Sequence, residues 1–507
     1  MLWRIPLLAG FALLAPGGLL AQSAEGILKR HVKAAGGAKA LRAITSTRYA
    51  GTVTRAAQPD APLGQFVWQF KSPALFYEEL RWPAAATAES FNGRSAWREL
   101  PDGGLATLTG REPARARAWA VFRNDRLVTW KKQRVRVRLV GSGEADGKPA
   151  RIVEFTTQTG LQRRLWFDAG SHLLLREESE RESGAEVIDY AGYRAVDGVQ
   201  EPHRIRIRRA GEIFEVAVTH VSHNLALPES IFDFPHRAST PLPQVAGLLE
   251  ALAHNQKTLE ALLENYTYTM VQTEIEVDGK GSVKQKREKT YEVFYLDGRA
   301  VQKLVAEDGH PLSPGDARKE DARIEKIIRL HQEHKERRLA RRTRPGQAQD
   351  GEGRNPTVGD FLHLSQFVHP RRERFRGRNV IVFEFEPRPG YKPRNRSESL
   401  LQKLGGVVWI DEDARQVARL EARLLDSFRM GGGLVASVRQ GSALVFEQEL
   451  VRGEVWLPLY AEVNLSARLF LLAGVKMNMI LRFSDFKKFN VETRSEIKPP
   501  AVPQDFR

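Results

Sequence analysis

Phe66, Trp68 and Phe70 alternate with Gln65, Val67 and Gln69 along Gly64 to Lys71, the period-2 pattern of a strand with one buried face. Upstream the period is helical. In SAEGILKRHVKAA, Ser23 to Ala35, the residues Ile27, Leu28 and Val32 share a face and Gly36-Gly37 supplies a stop, so a helix opens this part of the chain. Ala40, Leu41 and Ile44 then lead into a strand around Arg48 to Thr54. After Ser72-Pro73 the run ALFYEELRW alternates less cleanly, and Phe91-Asn92-Gly93-Arg94 turns the chain ahead of Trp97, which predicts an antiparallel meander. Ala116, Trp119, Ala120 and Phe122 predict a helical segment over that sheet. Strands follow at Val135 to Val140 and Arg151 to Thr157, and Phe214, Val216 and Val218 alternate in a last strand before LPESIFDFP, Leu227 to Pro235.

The plan then restarts. After a proline-marked STPLP linker, Val245, Leu248, Leu249, Leu252, Leu259, Leu262 and Leu263 predict an amphipathic helix from Pro243 to Glu264. Strands follow at NYTYTMVQTEIEV and around Tyr291 to Tyr295, and Asn379 to Phe385 begins a further set. Between them, Pro314 to Arg344 reads as a charged helix, 346–355 as a glycine-rich loop and Thr357 to Phe367 as a short helix. Val475, Met477, Met479, Leu481 and Phe483 share one face of the closing strand. RRLWFDAGSHLLLREE (Arg163 to Glu178) and GVVWIDEDARQVARLE (Gly406 to Glu421) occupy matching places, each a strand ending in Trp-x-Asp, a tight turn and a second strand. The matched order predicts one unit used twice.

Length agrees, since 507 residues exceed one ordinary core. Arg4, the apolar run Ile5 to Leu20 and a small-residue cut after Ala21 predict a signal peptide over 1–21 and export. Cysteine is absent from the sequence, which excludes disulfides, thiol catalysis and thiolate metal sites. A net charge of +16 favours anionic partners. Export argues against nucleic acid, which leaves an anionic membrane surface as the expected charged partner.

Catalytic constellations are not found. There is no Gly-x-Ser-x-Gly elbow. GSGEADGKP, Gly141 to Pro149, has the wrong spacing for a phosphate loop and Pro149 where a hydroxyl is needed. His331 and His334 fit no zinc motif, and His220 and His223, three apart in a strand, point to opposite faces. Asp168 and Asp411 sit at equivalent turns, where a carboxylate caps backbone amides. No enzyme, metal or cofactor is expected.

Several stretches resemble the LolA-like lipoprotein-carrier superfamily, twice over. They are the entry helix, KSPALFYEELRWP (Lys71 to Pro83), FNGRSAWRE (Phe91 to Glu99), LWFD and LPESIFDFP in the first half, and NVIVFEFEP, VVWIDEDARQVARLE and FSDFKKFN (Phe483 to Asn490) in the second. Asn92 stands where the family often has Asp, and the insert Pro314 to Asn355 lies outside the pattern. The resemblance implies an α+β chain of two tandem incomplete antiparallel β-barrels, curved sheets each wrapped over α-helices. The expected segments are a first domain at 22–238, a linker at 239–243, a second domain at 244–495 with an insert at 314–355, and a tail at 496–507. It also implies periplasmic, non-catalytic binding of lipid or lipoprotein acyl chains in an apolar concavity, by a monomer. Phe66, Trp68, Phe70, Trp97, Trp166, Phe214, Val216, Trp409, Met477, Met479 and Leu481 are the cavity candidates. A regulatory sensor like the RseB branch and a structural envelope protein are the alternatives.

Overall fold

The computed structural model describes residues 23–488, except 101, 134, 158–159, 236–241, 243–246, 278–282, 297–298, 342–363, 431–435, 470–474 and positions within 249–264 and 452–454. The expected signal peptide, glycine-rich loop and tail, and the linker apart from Leu242, lie outside the described residues.

The chain divides into two compact units, one holding 1–93, 101–103 and 111–232, the other 94–100, 104–110 and 233–507. The first begins with helix α1, Ala24–Ala34, capped by the Ser23 hydroxyl, which accepts from the Gly26 amide at 3.1 Å. Gly36, at φ +128°, turns the chain into α2, Ala38–Ala43; a Cβ there would stand 2.5 Å from the Gly198 carbonyl oxygen.

The strands of the first half are β1 (Ser46–Arg55), β2 (Gly64–Lys71), β3 (Leu75–Trp82), β4 (Ala85–Phe91), β5 (Ala96–Glu99) and β6 (Leu105–Thr107). After helix α3, Glu112–Asp125, come β7 (Arg136–Ala145), β8 (Lys148–Thr156), β9 (Gln162–Asp168), β10 (Leu174–Arg181) and β11 (Gly184–Ala191). A small ribbon, β12 (Arg194–Val196) and β13 (Val199–Glu201), precedes β14 (Arg204–Arg209) and β15 (Glu212–His223). In the first unit they form an open, curved antiparallel sheet in the order β4-β3-β2-β1-β15-β14-β11-β10-β9-β8-β7. The first strand thus pairs with the last. Gly51 sits at the bulge in that pairing, where a Cβ would meet the Ala217 carbonyl oxygen at 2.1 Å.

The second unit repeats this closure of first strand on last. Its strands are β16 (Tyr266–Val277), β17 (Val283–Leu296), β18 (Arg299–Glu307), β19 (His310–Pro311), β20 (Ser365–Phe375), β21 (Arg378–Pro387), β22 (Leu404–Asp411) and β23 (Val417–Leu424). They continue with β24 (Phe428–Met430), β25 (Ala436–Val438), β26 (Ala443–Val451), β27 (Val455–Leu469) and β28 (Val475–Lys488). The order is β19-β18-β17-β16-β28-β27-β26-β23-β22-β21-β20. One sheet face packs Ile381, Phe383, Val408 and Ile410 against Leu248 and Leu252, which lie on helical backbone as the amphipathic pattern predicts. The charged helix appears as α4, Pro314–Arg341, tied to β18 by Lys303–Asp321 at 2.7 Å and by Glu320 accepting from the Leu304 amide. Helix α5, Arg396–Leu401, links β21 to β22. One expectation is corrected: residues 365–367 begin strand β20 and are not helical, because Gln366 and Phe367 pair with Glu386 and Phe385 of β21.

Candidate functional site

The register of the first sheet decides what its helix-covered face carries. Tyr49 lies opposite Trp68, Trp68 opposite Glu78, and Glu78 opposite Glu89, so aromatic rings and carboxylates form one row across four strands. Trp119 of α3 lies on this row, with ring centroids 5.5 Å from Trp68, 5.3 Å from Phe70 and 4.8 Å from Phe76. Helix α1 meets the far side through His31, 4.9 Å from Phe167. Phe66, Trp68, Phe70, Phe214 and Val216 are all buried on this face. Trp166 is not: Leu165 and Phe167 take the helix side of β9, and Trp166 packs on the opposite face with Ala145, Ala150 and Leu175.

Beside the aromatic wall lies a network of charges that the apolar pattern does not announce. Glu89 accepts from Arg115 and Arg181, Glu186 lies 2.8 Å from both Arg181 and Arg209, and Arg209 reaches Glu78. Trp68 Nε1 donates to Glu78 at 2.6 Å, so the wall and the network share a bond. Arg123 and Arg163 converge on Glu177, which also accepts from the Tyr190 hydroxyl. These groups are buried or nearly so, and each is paired, as low-dielectric burial requires. Burial alone would raise the Glu186 carboxyl, yet the Arg209 and Arg181 guanidiniums hold it down at about 2. Burial, with Arg123 close by, lowers the Arg163 guanidinium to about 9. A signal for the network exists in the sequence. Glu78, Glu186 and Arg209 each take an inward slot of a period-2 strand that its neighbours fill with apolar residues.

Between α1, α2, the end of α3 and the sheet lies a cavity of about 80 Å³. Its walls mix Leu41, Phe70, Phe122 and Leu174 with Tyr49, Arg123, Arg126 and Glu201. Glu201 gathers Arg126 at 2.7 Å, His223 Nε2 at 2.9 Å and the Tyr49 hydroxyl, and is held at about 2 because Arg126 and these donors outweigh its burial. The cavity is well below the 300 Å³ or so at which small-molecule pockets begin. The α1–α2 pair covers it through Ala35, Leu41 and Ile44 on Val199, and Glu25 of α1 makes an exposed contact with Lys131.

The remaining candidates lie in the second unit. Trp97 of β5 is buried 6.0 Å from Phe234. This hairpin is fixed by Thr107, bonded to Glu373 and Arg371, and by Ser95 on Glu384, which also accepts from His369 at 2.9 Å. Trp409 is buried with Val380, Val382 and Trp456, on the face opposite Leu248 and Leu252. Met477, Met479 and Leu481 are half-buried, opposite Glu276, Glu274 and Gln272 of β16. The eleven residues therefore fall in separate places: Phe66, Trp68 and Phe70 share one face with Phe214 and Val216 in the first unit, and Met477, Met479 and Leu481 share a face of β28 in the second.

Asp168 and Asp411 are turn formers. Asp168 Oδ1 accepts from Gly170 and Ser171 amides at 2.7 and 3.1 Å, and Asp411 Oδ1 from Ala414 and Asp413 at 2.7 and 3.1 Å. His220 is exposed and His223 buried, on opposite faces as their spacing requires. Among the described residues no group of three His, Asp or Glu could hold a metal ion, and no helix is long and apolar enough to cross a membrane.

No protein-family model and no curated protein matches the chain. Among solved structures it is similar to a LolA superfamily protein from Nitrosomonas europaea, at 20% identity over 42% of this chain and 98% of that one, with a TM-score of 0.29. It is also similar to an outer membrane lipoprotein-sorting protein domain from Vibrio parahaemolyticus, at 13% identity over 41% of this chain and 94% of that one, TM-score 0.28. The Pseudomonas aeruginosa MucA/MucB complex aligns over 92% of this chain and 99% of that one, at 10% identity and a TM-score of 0.16. The LolA-like and MucB-type structures are thus among those this chain is similar to.

Proposed function

We propose that this chain is a periplasmic, non-catalytic binding protein that takes the acyl chain of a lipid or lipidated protein between the α1–α2 pair and the first sheet. The observation that supports this reading is the composition of the small cavity. Apolar walls lead to Arg123 and Arg126 beside Glu201 and Tyr49, a layout suited to a ligand with a hydrocarbon body and a polar end. The helix pair is the movable cover. It is held by apolar contacts, the exposed Lys131–Glu25 pair and hydrogen bonds at His31 and the Ala35 carbonyl, whereas α3 is tied down by buried ion pairs. Shifting it exposes apolar wall that an acyl chain can re-cover, at about 25 cal/mol per Å².

The test is uptake of a fluorescent fatty acid by the full chain, with mass spectrometry of lipid extracted from the purified protein. Uptake that is lost when Ala35→Phe fills the cavity supports the reading. Absence of both extracted lipid and uptake overturns it. The small size of the cavity favours a second reading, an RseB-like sensor that binds a protein segment instead of carrying lipid. Co-purification of a membrane-anchored regulatory protein without lipid would select it.

A further inference from the structure

We infer a second, separate binding site on the other unit, for a phosphate ester. A groove of about 610 Å³ lies between α5 and β24, with Arg396, Lys403, Asp426, Ser427, Phe428 and Arg429 among its walls. Three cations there face one carboxylate. The carboxylate is already committed: Asp426 accepts from Lys403 Nζ at 2.7 Å and from the Ser427 amide at 2.7 Å. Lys403 is likewise held, donating also to the Ser427 carbonyl at 3.2 Å. Arg396 and Arg429 are exposed, and among the described residues neither guanidinium makes a hydrogen bond or an ion pair. Two positive charges are therefore left over at one concave place, on planar guanidiniums whose paired N–H groups match phosphate oxygens.

The surroundings supply the rest of such a site. Ser427 Oγ accepts from the Gln440 amide at 3.2 Å, which leaves its own proton free to donate into the groove. Phe428 offers an apolar flank for the carbon part of an ester. The walls are tied by hydrogen bonds and strand pairing. Phe428 pairs with Val438, Gln440 Nε2 donates to the Leu425 carbonyl at 2.7 Å, and the Asn395 side chain caps α5 by accepting from the Glu398 amide. A surplus of two charges equals the charge of a phosphomonoester and exceeds that of one carboxylate, which is why phosphate is the favoured class. The ester can be soluble, or it can be the headgroup of phosphatidic acid, an anionic phospholipid whose phosphate is likewise a monoester.

The experiment compares the full chain with Arg396→Gln/Arg429→Gln and with a control of equal charge change, Lys326→Gln/Arg329→Gln, at exposed positions of α4. Glycerol 3-phosphate binding is measured by calorimetry, and flotation is measured with phosphatidylcholine vesicles containing or lacking phosphatidic acid. The groove pair should weaken glycerol 3-phosphate binding about tenfold or more and the control should not. Loss of flotation on phosphatidic acid vesicles in the same variant identifies the lipid source, and flotation equal to wild type identifies a soluble ester. Equal loss in groove and control variants, or no loss in either, overturns the site. Fatty acid uptake by the first unit is read in the same samples, so failure here stays separate from failure of the acyl-binding reading.

Discussion

At the residue scale, the buried titratable groups govern how the first unit responds to acid. His31 stacks on Phe167 and its Nδ1 meets the His172 carbonyl at 3.1 Å, and burial lowers its pKa to about 4. A base held neutral in the fold but charged when unfolded lends its stability above the unfolded value near 6.5. That stability is lost as pH falls through the folded value near 4. Stability of the wild type should therefore fall by about 3 kcal/mol between these limits. His31→Leu should flatten that slope, as chemical denaturation at each pH will read. Glu186 adds a further loss at lower pH, between its ordinary range near 4.5 and about 2. The network makes a second prediction. Arg181→Met strands Glu89 and Glu186 without one of their cations and should cost 3–5 kcal/mol or so, whereas Arg181→Met/Glu186→Met removes a balanced pair and should recover most of it.

At the scale of elements, the two Trp-x-Asp hairpins look alike in sequence and differ in what they hold. Asp168 is half-buried and serves its own turn. Asp411 is fully buried and also receives Arg378, through Nη2 at 2.9 Å and through Nε; burial would raise its pKa, but Arg378 and the Ala414 amide hold it below the usual carboxylate range. Asp168→Ala should cost about 1 kcal/mol and Asp411→Ala about 2–3 kcal/mol, measured as denaturation midpoints of the full chain. Glycines at strand pairings give a sharper test. A Cβ on Gly406 would stand 1.9 Å from the Glu421 carbonyl oxygen, so Gly406→Ala must move backbone and should cost more than about 3 kcal/mol. A thermal midpoint unchanged in that variant would contradict the close strand approach.

For the whole molecule, charge is the property that acts at a distance. With 78 Lys and Arg against 62 Asp and Glu, the chain should float with phosphatidylglycerol vesicles at low ionic strength and be released near 1 M salt, where the screening length is about 3 Å. Many of the arginines are spoken for. Arg115, Arg163, Arg181 and Arg209 are buried against carboxylates, so the attracting surface is set by the exposed remainder. The period-2 runs made the sheets legible, and the helical spacing of Ile27, Leu28 and Val32 made α1 legible, because both patterns express burial of one face. The site was less so. Trp166 and Trp409 share a motif, and both lie on the side of their sheets away from the helical residues packed there, since the motif specifies a strand end and not which face is covered.

The sequence by itself determined local structure and composition: strands and helices follow from period, the Asp turns from their amides, and the exclusion of thiol chemistry from the absence of cysteine. Only the tertiary structure decided what the helix-covered face became. Register across β1, β2, β3 and β4 aligned Trp68 with Glu78 and Glu89, and docking of α3 brought Arg115 and Arg123 onto that row. Residues from distant positions then met at ion-pair distance, leaving a cavity of about 80 Å³ where the resemblance implied an apolar concavity. Pairing between distant residues depends on register and packing together, and no local window of sequence contains either.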